Sequence, residues 1–302
     1  MSTSSLARYL DPDVLNRIAD RAFEPRQLVQ GSLAGTHASP LSGFAVEFAG
    51  HREYVPGDDP RHIDWRIFYT RGKYFVKQYE METNLVAHLI LDASASMRYG
   101  AGEQQKLRYA AKLAATLAYC IVRRRDKASF TLLDDQIRIA LPPSNSPAHV
   151  TRITDELDRH ECSGGTSLIE LLPELAERFG RREIVVLLSD FFLDPWQLEP
   201  ALQRFRYHQH EVVLMQVVHS DEIEFRLPGS IKFVGLEGAG PVTARPADLR
   251  QAYLAAFAAH RSALSEVARR NQCEFLQLNT SRDLGETLSN YLSQRNLGAR
   301  KR

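Results

Sequence analysis

From Leu85 to the C-terminus, short apolar runs alternate with long amphipathic segments, and that rhythm leaves the chain little choice of architecture. Runs of this length suit strands buried on both faces, and the intervening segments have the periodicity of helices that cover them. The pattern predicts strands at 85–91, 128–133, 183–189, 211–218 and 274–278, with helices near 103–125, 147–159, 167–179, 196–208 and 247–271. The fold class is therefore α/β, a doubly wound, mostly parallel sheet with helices on both faces. The segment IRIALPP follows FTLLDDQ across a tight polar turn, so it should return antiparallel at a sheet edge, where Pro142 and Pro143 stop further pairing.

Upstream the rhythm differs. Residues 11–22, DPDVLNRIADRA, carry Val14, Leu15, Ile18 and Ala19 on one side of a predicted helix with an Asp-rich start. After a passage rich in Gly, Ser and Pro from Gly31 to Gly43, the segments AVEFAGHREYV, DWRIFYT and YFVKQYEMET are aromatic and β-branched, predicting three strands of a small β-rich unit. Thr70-Arg71-Gly72-Lys73 is the expected hairpin turn between the second and third. The expected domains are thus 1–84 (helix and β-rich unit), 85–290 (α/β domain) and 291–302, a basic tail expected to be disordered from Arg295 onward.

The balance of 38 Lys and Arg against 37 Asp and Glu gives a formal net charge of +1, so no global field favours nucleic acid or a membrane surface. Cys120, Cys162 and Cys273 are odd in number and widely spaced, which argues against a disulfide framework or a zinc site and fits a reducing cytoplasm. No stretch approaches the roughly 20 apolar residues of a membrane span. The expected location is cytoplasmic, with peripheral membrane association only through partners.

Three loops carry the candidate chemistry. LILDASASM delivers Asp92, Ser94 and Ser96 at alternate positions, GGTSL sets Thr166 in a glycine-flanked loop, and VVLLSDFF ends an apolar run on Asp190. In a doubly wound sheet, loops leaving the carboxyl ends of the strands form a crevice where the strand order reverses. If the first strand and the one at 183–189, the fourth when the edge hairpin strand is counted as the third, flank that point, all three loops open on one edge. Two carboxylates and three hydroxyls are hard donors, the set Mg²⁺ or Mn²⁺ prefers, with no His or Cys to select zinc. If the hydroxyls stay neutral and one aspartate acts through water, the ion keeps an under-neutralised open position for a carboxylate.

These five residues resemble the metal-ion-dependent adhesion site of von Willebrand factor type A domains, and the pattern from Leu85 resembles that fold. The segment EFAGHREYVPGDDPRHIDWRIFYTRGKYFVKQYEMET resembles the signature of the bacterial domain-of-unknown-function fifty-eight family, in which a von Willebrand A-like domain follows. Its recognisable elements are Glu47, Phe48, Arg52, Tyr54, Gly57, Asp58, Asp59, Arg61, Ile63, Asp64, Trp65, Arg71, Val76 and Lys77. The resemblance implies association with a MoxR-type AAA+ ATPase in chaperone-like or complex-maturation work, and a client protein offering an Asp or Glu to the metal. Lacking the membrane helices of many relatives, the chain resembles the family's short soluble form. Read physically, Pro56 to Pro60 is a turn, and the charges from Arg52 to Arg71 are an architectural lattice around Tyr54 and Trp65.

No P-loop and no G-x-S-x-G elbow occurs, so nucleotide chemistry belongs to a partner. Gly235 to Gly240 is a plain turn, His88 a packed core histidine, His208 and His210 lack a third ligand, and Arg123 to Arg125 complement a helix end. Two functions are left. The first is a non-catalytic, metal-dependent adaptor. The second is a Mg²⁺-dependent phosphoryl hydrolase, against which stand Ser94 where a second carboxylate is wanted and the lack of a Lys in the three loops.

Overall fold

A computed structural model describes residues 5–25, 46–55, 58, 60, 63–81, 85–160, 165, 167–236 and 240–300. The chain divides into two units, Met1–Gln27 with Leu85–Arg302, and Leu28–Asn84. The helical N-terminus thus joins the α/β unit instead of the β-rich one. The helix expected over 11–22 is present but shorter, α2 (Pro12–Arg17), capped by Asp11 as its Asp-rich start requires, and a further short helix, α1 (Ser5–Tyr9), precedes it. Tyr9, Val14 and Ile18 are buried.

The smaller unit holds β1 (Val46–Glu53), α3 (Trp65–Arg71) and β2 (Phe75–Met81), the two strands pairing antiparallel. DWRIFYT is therefore a helix, contrary to the strand expected from its aromatic composition. Asp64 caps it by accepting the Arg66 amide at 3.0 Å, and Gly72, at φ 67°, ends it in the left-handed conformation with its N–H on the Phe68 carbonyl. Start and stop signals at the correct spacing outweigh β propensity, which is strongly context-dependent. Gly72 is accordingly a helix C-cap, not part of a hairpin turn. Arg52 pairs with Asp58 at 2.8 Å and His51 with Asp64 at 3.0 Å, so the charged lattice exists in part within this unit. Pro56, Gly57, Asp59 and Arg61 lie outside the described residues.

The larger unit is built on β3 (Val86–Asp92), α4 (Lys106–Arg123), β4 (Lys127–Leu133), β5 (Ile137–Ser144), α5 (Pro147–Arg159), α6 (Leu168–Arg178), β6 (Ile184–Ser189), α7 (Glu199–Tyr207) and β7 (Glu211–Val218). It continues through α8 (Ser220–Glu224), a two-stranded ribbon of β8 (Ile231–Phe233) and β9 (Val242–Ala244), α9 (Pro246–Arg270), β10 (Glu274–Asn279) and α10 (Leu284–Arg300). The sheet order is β10-β7-β6-β3-β4-β5, all parallel except the antiparallel edge strand β5. Counted from β3, this is the 3-2-1-4-5-6 order of a doubly wound sheet, and the order reverses between β3 and β6. Both strands are buried along almost their whole length, as their unbroken apolar runs require. On one face Leu168, Leu172, Leu198, Leu202 and Phe205 pack with Val185 and Leu187.

The basic tail is helical through Arg300, contrary to the expected disorder; residues 301–302 lie outside the described set. Arg295 explains the difference. It is fully buried, donating from Nε to the Glu24 carbonyl at 2.7 Å and from Nη1 to Glu274 at 2.7 Å, with Glu211 on Nη2. A guanidinium satisfied by two carboxylates anchors the helix that a reading of net charge takes for a solvated end.

Candidate functional site

Asp92 ends β3, and Asp190 follows the last residue of β6, so the two parallel neighbours deliver both carboxylates to the carboxyl edge of the sheet at the switch point. Asp92 is 2% exposed. Its Oδ1 accepts the Ser94 amide at 2.9 Å, a local Asx turn that bends the chain off the strand, and its Oδ2 accepts the Ser189 hydroxyl at 2.6 Å. The Ser94 and Ser96 hydroxyls lie 3.1 Å apart. Ala93 and Ala95 are buried, and the Ala93 amide ties the loop to the Leu133 carbonyl of β4 at 2.7 Å.

Asp190 is also buried. Its Oδ1 accepts the Phe192 amide at 3.2 Å, and its Oδ2 accepts the Lys106 ammonium at 2.7 Å. Phe191 between them has φ 53°, a left-handed conformation that costs a bulky residue energy. It is held there by its amide on Ser189 Oγ at 3.0 Å and by His260 Nε2 on its carbonyl at 3.0 Å. Lys106 also donates to Glu222 Oε1 at 2.8 Å, and the other Glu222 oxygen accepts the His219 amide at 2.7 Å in the capping box of α8.

Thr166 lies outside the described residues. Its neighbour Ser167 donates its amide to the Asp134 carbonyl at 3.0 Å, at the carboxyl end of β4 beside β3. Four of the five candidate residues, Asp92, Ser94, Ser96 and Asp190, thus share one edge.

The electrostatics of this cluster are unbalanced. Asp190 and Glu222 share the Lys106 ammonium, while Asp92, which feels the Asp190 charge, is bonded to the Ser94 amide and the Ser189 hydroxyl and, among the described residues, has no cation as a hydrogen-bond partner. Burial pushes the Asp92 carboxyl up to about 6; the hydrogen bond from Ser189 opposes this, and the Asp190 charge adds to it. Burial raises Glu222 as well, against the attraction of Lys106. Among the described residues no group of three or more His, Cys, Asp or Glu side chains has the geometry to hold a metal, so a divalent cation here would complete its shell with hydroxyls, backbone carbonyls or water. Asp92, Ser94 and Ser96 suit a hard divalent ion, because they are oxygen donors around a buried, under-compensated carboxylate. Asp190 suits it with one complication, since an ammonium already holds one of its oxygens.

Sequence reasoning missed Lys106, Ser189 and Glu222. One signal for Lys106 was available: a lysine in the first turn of a helix sits at the positive end of the dipole, where a cation is disfavoured unless a carboxylate waits for it. Glu222 follows a separate strand and carried no local sign of convergence.

A second polar network lies towards the amino ends of the strands. His88 Nδ1 meets Ser129 Oγ at 2.6 Å, His88 Nε2 meets Glu183 at 2.7 Å, and its ring stacks on Phe179 at 3.6 Å. His88 and Ser129 are both 3% exposed, so this is a packed core histidine without an opening for substrate.

Comparison with known proteins adds family but not activity. The uncharacterized protein Rv1480 of Mycobacterium tuberculosis (strain ATCC 25618 / H37Rv) is 24% identical over 294 residues, spanning 96% of this chain and 92% of that protein. The uncharacterized protein Mb1516 of Mycobacterium bovis matches to the same extent. Among solved structures, an aerotolerance-related membrane protein from Bacteroides fragilis has TM-score 0.46 and 16% identity over 72% of this chain and 100% of its own. The SpRpn10 VWA domain has TM-score 0.39 and 10% identity over 70% and 95%. The architecture rests on the strand order above and not on these likenesses. The family described as "Protein of unknown function DUF58" matches residues 50–263, more than two-thirds of the sequence, and the chain belongs to that family.

Proposed function

We propose that this chain is a non-catalytic, metal-dependent interaction adaptor that uses Asp92, Ser94, Ser96, Thr166 and Asp190 to hold Mg²⁺ or Mn²⁺ and to receive an Asp or Glu of a client protein. The observation that carries the reading is Asp92 itself, a buried carboxylate at the switch point whose pKa stands at about 6 and whose neighbouring hydroxyls, 3.1 Å apart, are oxygen donors. When bound, the ion would supply an electrophilic position for the client carboxylate. Asp92 and the two serines would orient it, and Phe192, 42% exposed beside Asp190, offers an aromatic anchor of the kind protein interfaces use. The partner ATPase is of the MoxR-type AAA+ class, on the strength of the family resemblance, and the adaptor presents clients to it.

The alternative, a Mg²⁺-dependent phosphoryl hydrolase, needs a cation facing the incoming phosphate. Lys106 is 1% exposed and turned to two carboxylates, so it does not meet that need. Affinity capture from native lysate, with wild type and Asp92→Ala each in Mg²⁺ or EDTA, tests the adaptor. An AAA+ ATPase retained only by wild type with Mg²⁺ supports it; equal retention in all four overturns it. Mg²⁺-dependent turnover of phosphate esters that Asp92→Ala abolishes would establish the hydrolase instead.

A further inference from the structure

Lys106 is the one feature of the cluster that a simple divalent-metal site does not call for. Its ammonium lies in the first turn of α4, where the helix dipole opposes it, and is nonetheless buried to 1% exposure. Two carboxylates hold it there, Asp190 at 2.7 Å and Glu222 at 2.8 Å, and the Phe192 ring covers it at 4.7 Å. The two partners are not equivalent. Glu222 is fixed by the His219 amide in the cap of α8, whereas the Asp190 carboxylate is also a candidate metal ligand. A divalent ion and the ammonium therefore draw on the same carboxylate, whose Oδ2 holds the ammonium and whose Oδ1 accepts the Phe192 amide.

We infer that Lys106 is a tethered competitor for Asp190 and sets the affinity of the site for divalent cations. This rests on reading Asp92, Ser94, Ser96 and Asp190 as the metal site. With the site empty, the ammonium neutralises Asp190. When a divalent ion enters, Asp190 turns to the ion and Lys106 stays on Glu222, which keeps the displaced charge paired. Lys106 is thus an affinity-determining residue that does not itself touch the metal.

The test is Mn²⁺ titration read by the loss of the free-ion electron paramagnetic resonance signal. The proteins are wild type, Asp92→Asn, Lys106→Met and the double variant Lys106→Met/Glu222→Gln. The double variant removes one positive and one negative charge, so the local net charge is unchanged and any gain reports lost competition. Both Lys106 variants should bind Mn²⁺ at least about tenfold more tightly than wild type, the lower end of what one close opposite charge does to a carboxylate equilibrium. If Asp92→Asn abolishes binding while the double variant stays within about twofold of wild type, the metal site stands and the competitor role falls. If no variant binds Mn²⁺, both fall. Should the Met variants fail to unfold cooperatively, Glu222→Gln is the second probe. It leaves the ammonium on Asp190 alone, so affinity should drop, and an unchanged affinity overturns the inference.

Discussion

In metal-free protein, replacing Asp92 by Asn should increase stability at neutral pH. The carboxyl titrates near 6 in the folded chain against 3.8 for its ordinary value. Because the folded pKa is the higher one, the folded state takes up the proton first. The stability this confers is complete below pH 3.8 and is lost as pH rises through about 6. Above that, the buried charge costs roughly 3 kcal/mol, from about 1.4 kcal/mol for each pH unit between the two values. Asn keeps the same bonds without the charge: its Oδ1 can accept the Ser94 amide, and its Nδ2 can donate to Ser189 Oγ once that hydroxyl rotates. Urea unfolding in EDTA at pH 5, 6, 7 and 8, with wild type and variant side by side, reads the difference. The gap should widen with pH towards about 3 kcal/mol, on the order of 5–10 °C in Tm. A variant less stable than wild type at pH 8, or a gap that does not change with pH, would show that the Asp92 charge is already compensated and refute the reasoning.

Other expectations follow from buried groups elsewhere. Burial lowers His210 to about 4 from 6.5, so the unfolded state takes its proton first and stability is lost as pH falls from 6.5 towards 4. Between pH 7 and pH 5 this group should cost wild type about 2 kcal/mol that His210→Gln does not lose. Asp92 acts in the opposite sense over the same window, so the two proteins must be compared with each other, and parallel pH profiles would contradict the assignment. Arg295→Met strands Glu211 and Glu274 and should destabilise by about 3–5 kcal/mol in denaturant unfolding; a loss under about 1 kcal/mol would return the tail to the role of a solvated end. Gly72→Ala places a β-carbon on a residue at φ 67° and should cost about 1 kcal/mol, while a neutral result would mean that α3 ends elsewhere.

The sheet was legible because its strands are buried on both faces: VAHLILD and IVVLLS are unbroken runs suited to such strands, and their pairing as neighbours brings Asp92 and Asp190 together. Pro142 and Pro143 marked the edge strand β5 for the same kind of reason, a missing donor. What misled was composition read without position. WRIFYT is aromatic and β-branched, but Asp64 and Gly72 enclose it at helix spacing, and the tail looked solvated although Arg295 finds the carboxylates of Glu211 on β7 and Glu274 on β10. Lys106 and Glu222 were hidden for that physical reason too. Charge pairing across the fold depends on which loops meet, and no local periodicity records it.

The most direct test of a metal site at the switch point is calorimetric titration of Mg²⁺ into the wild-type chain and into Asp92→Asn. Saturable binding of one ion by wild type, absent from the variant and accompanied by a Mg²⁺-dependent rise in unfolding temperature for wild type alone, is expected. Equal binding by both proteins, or none by wild type, would contradict a metal centre built on Asp92.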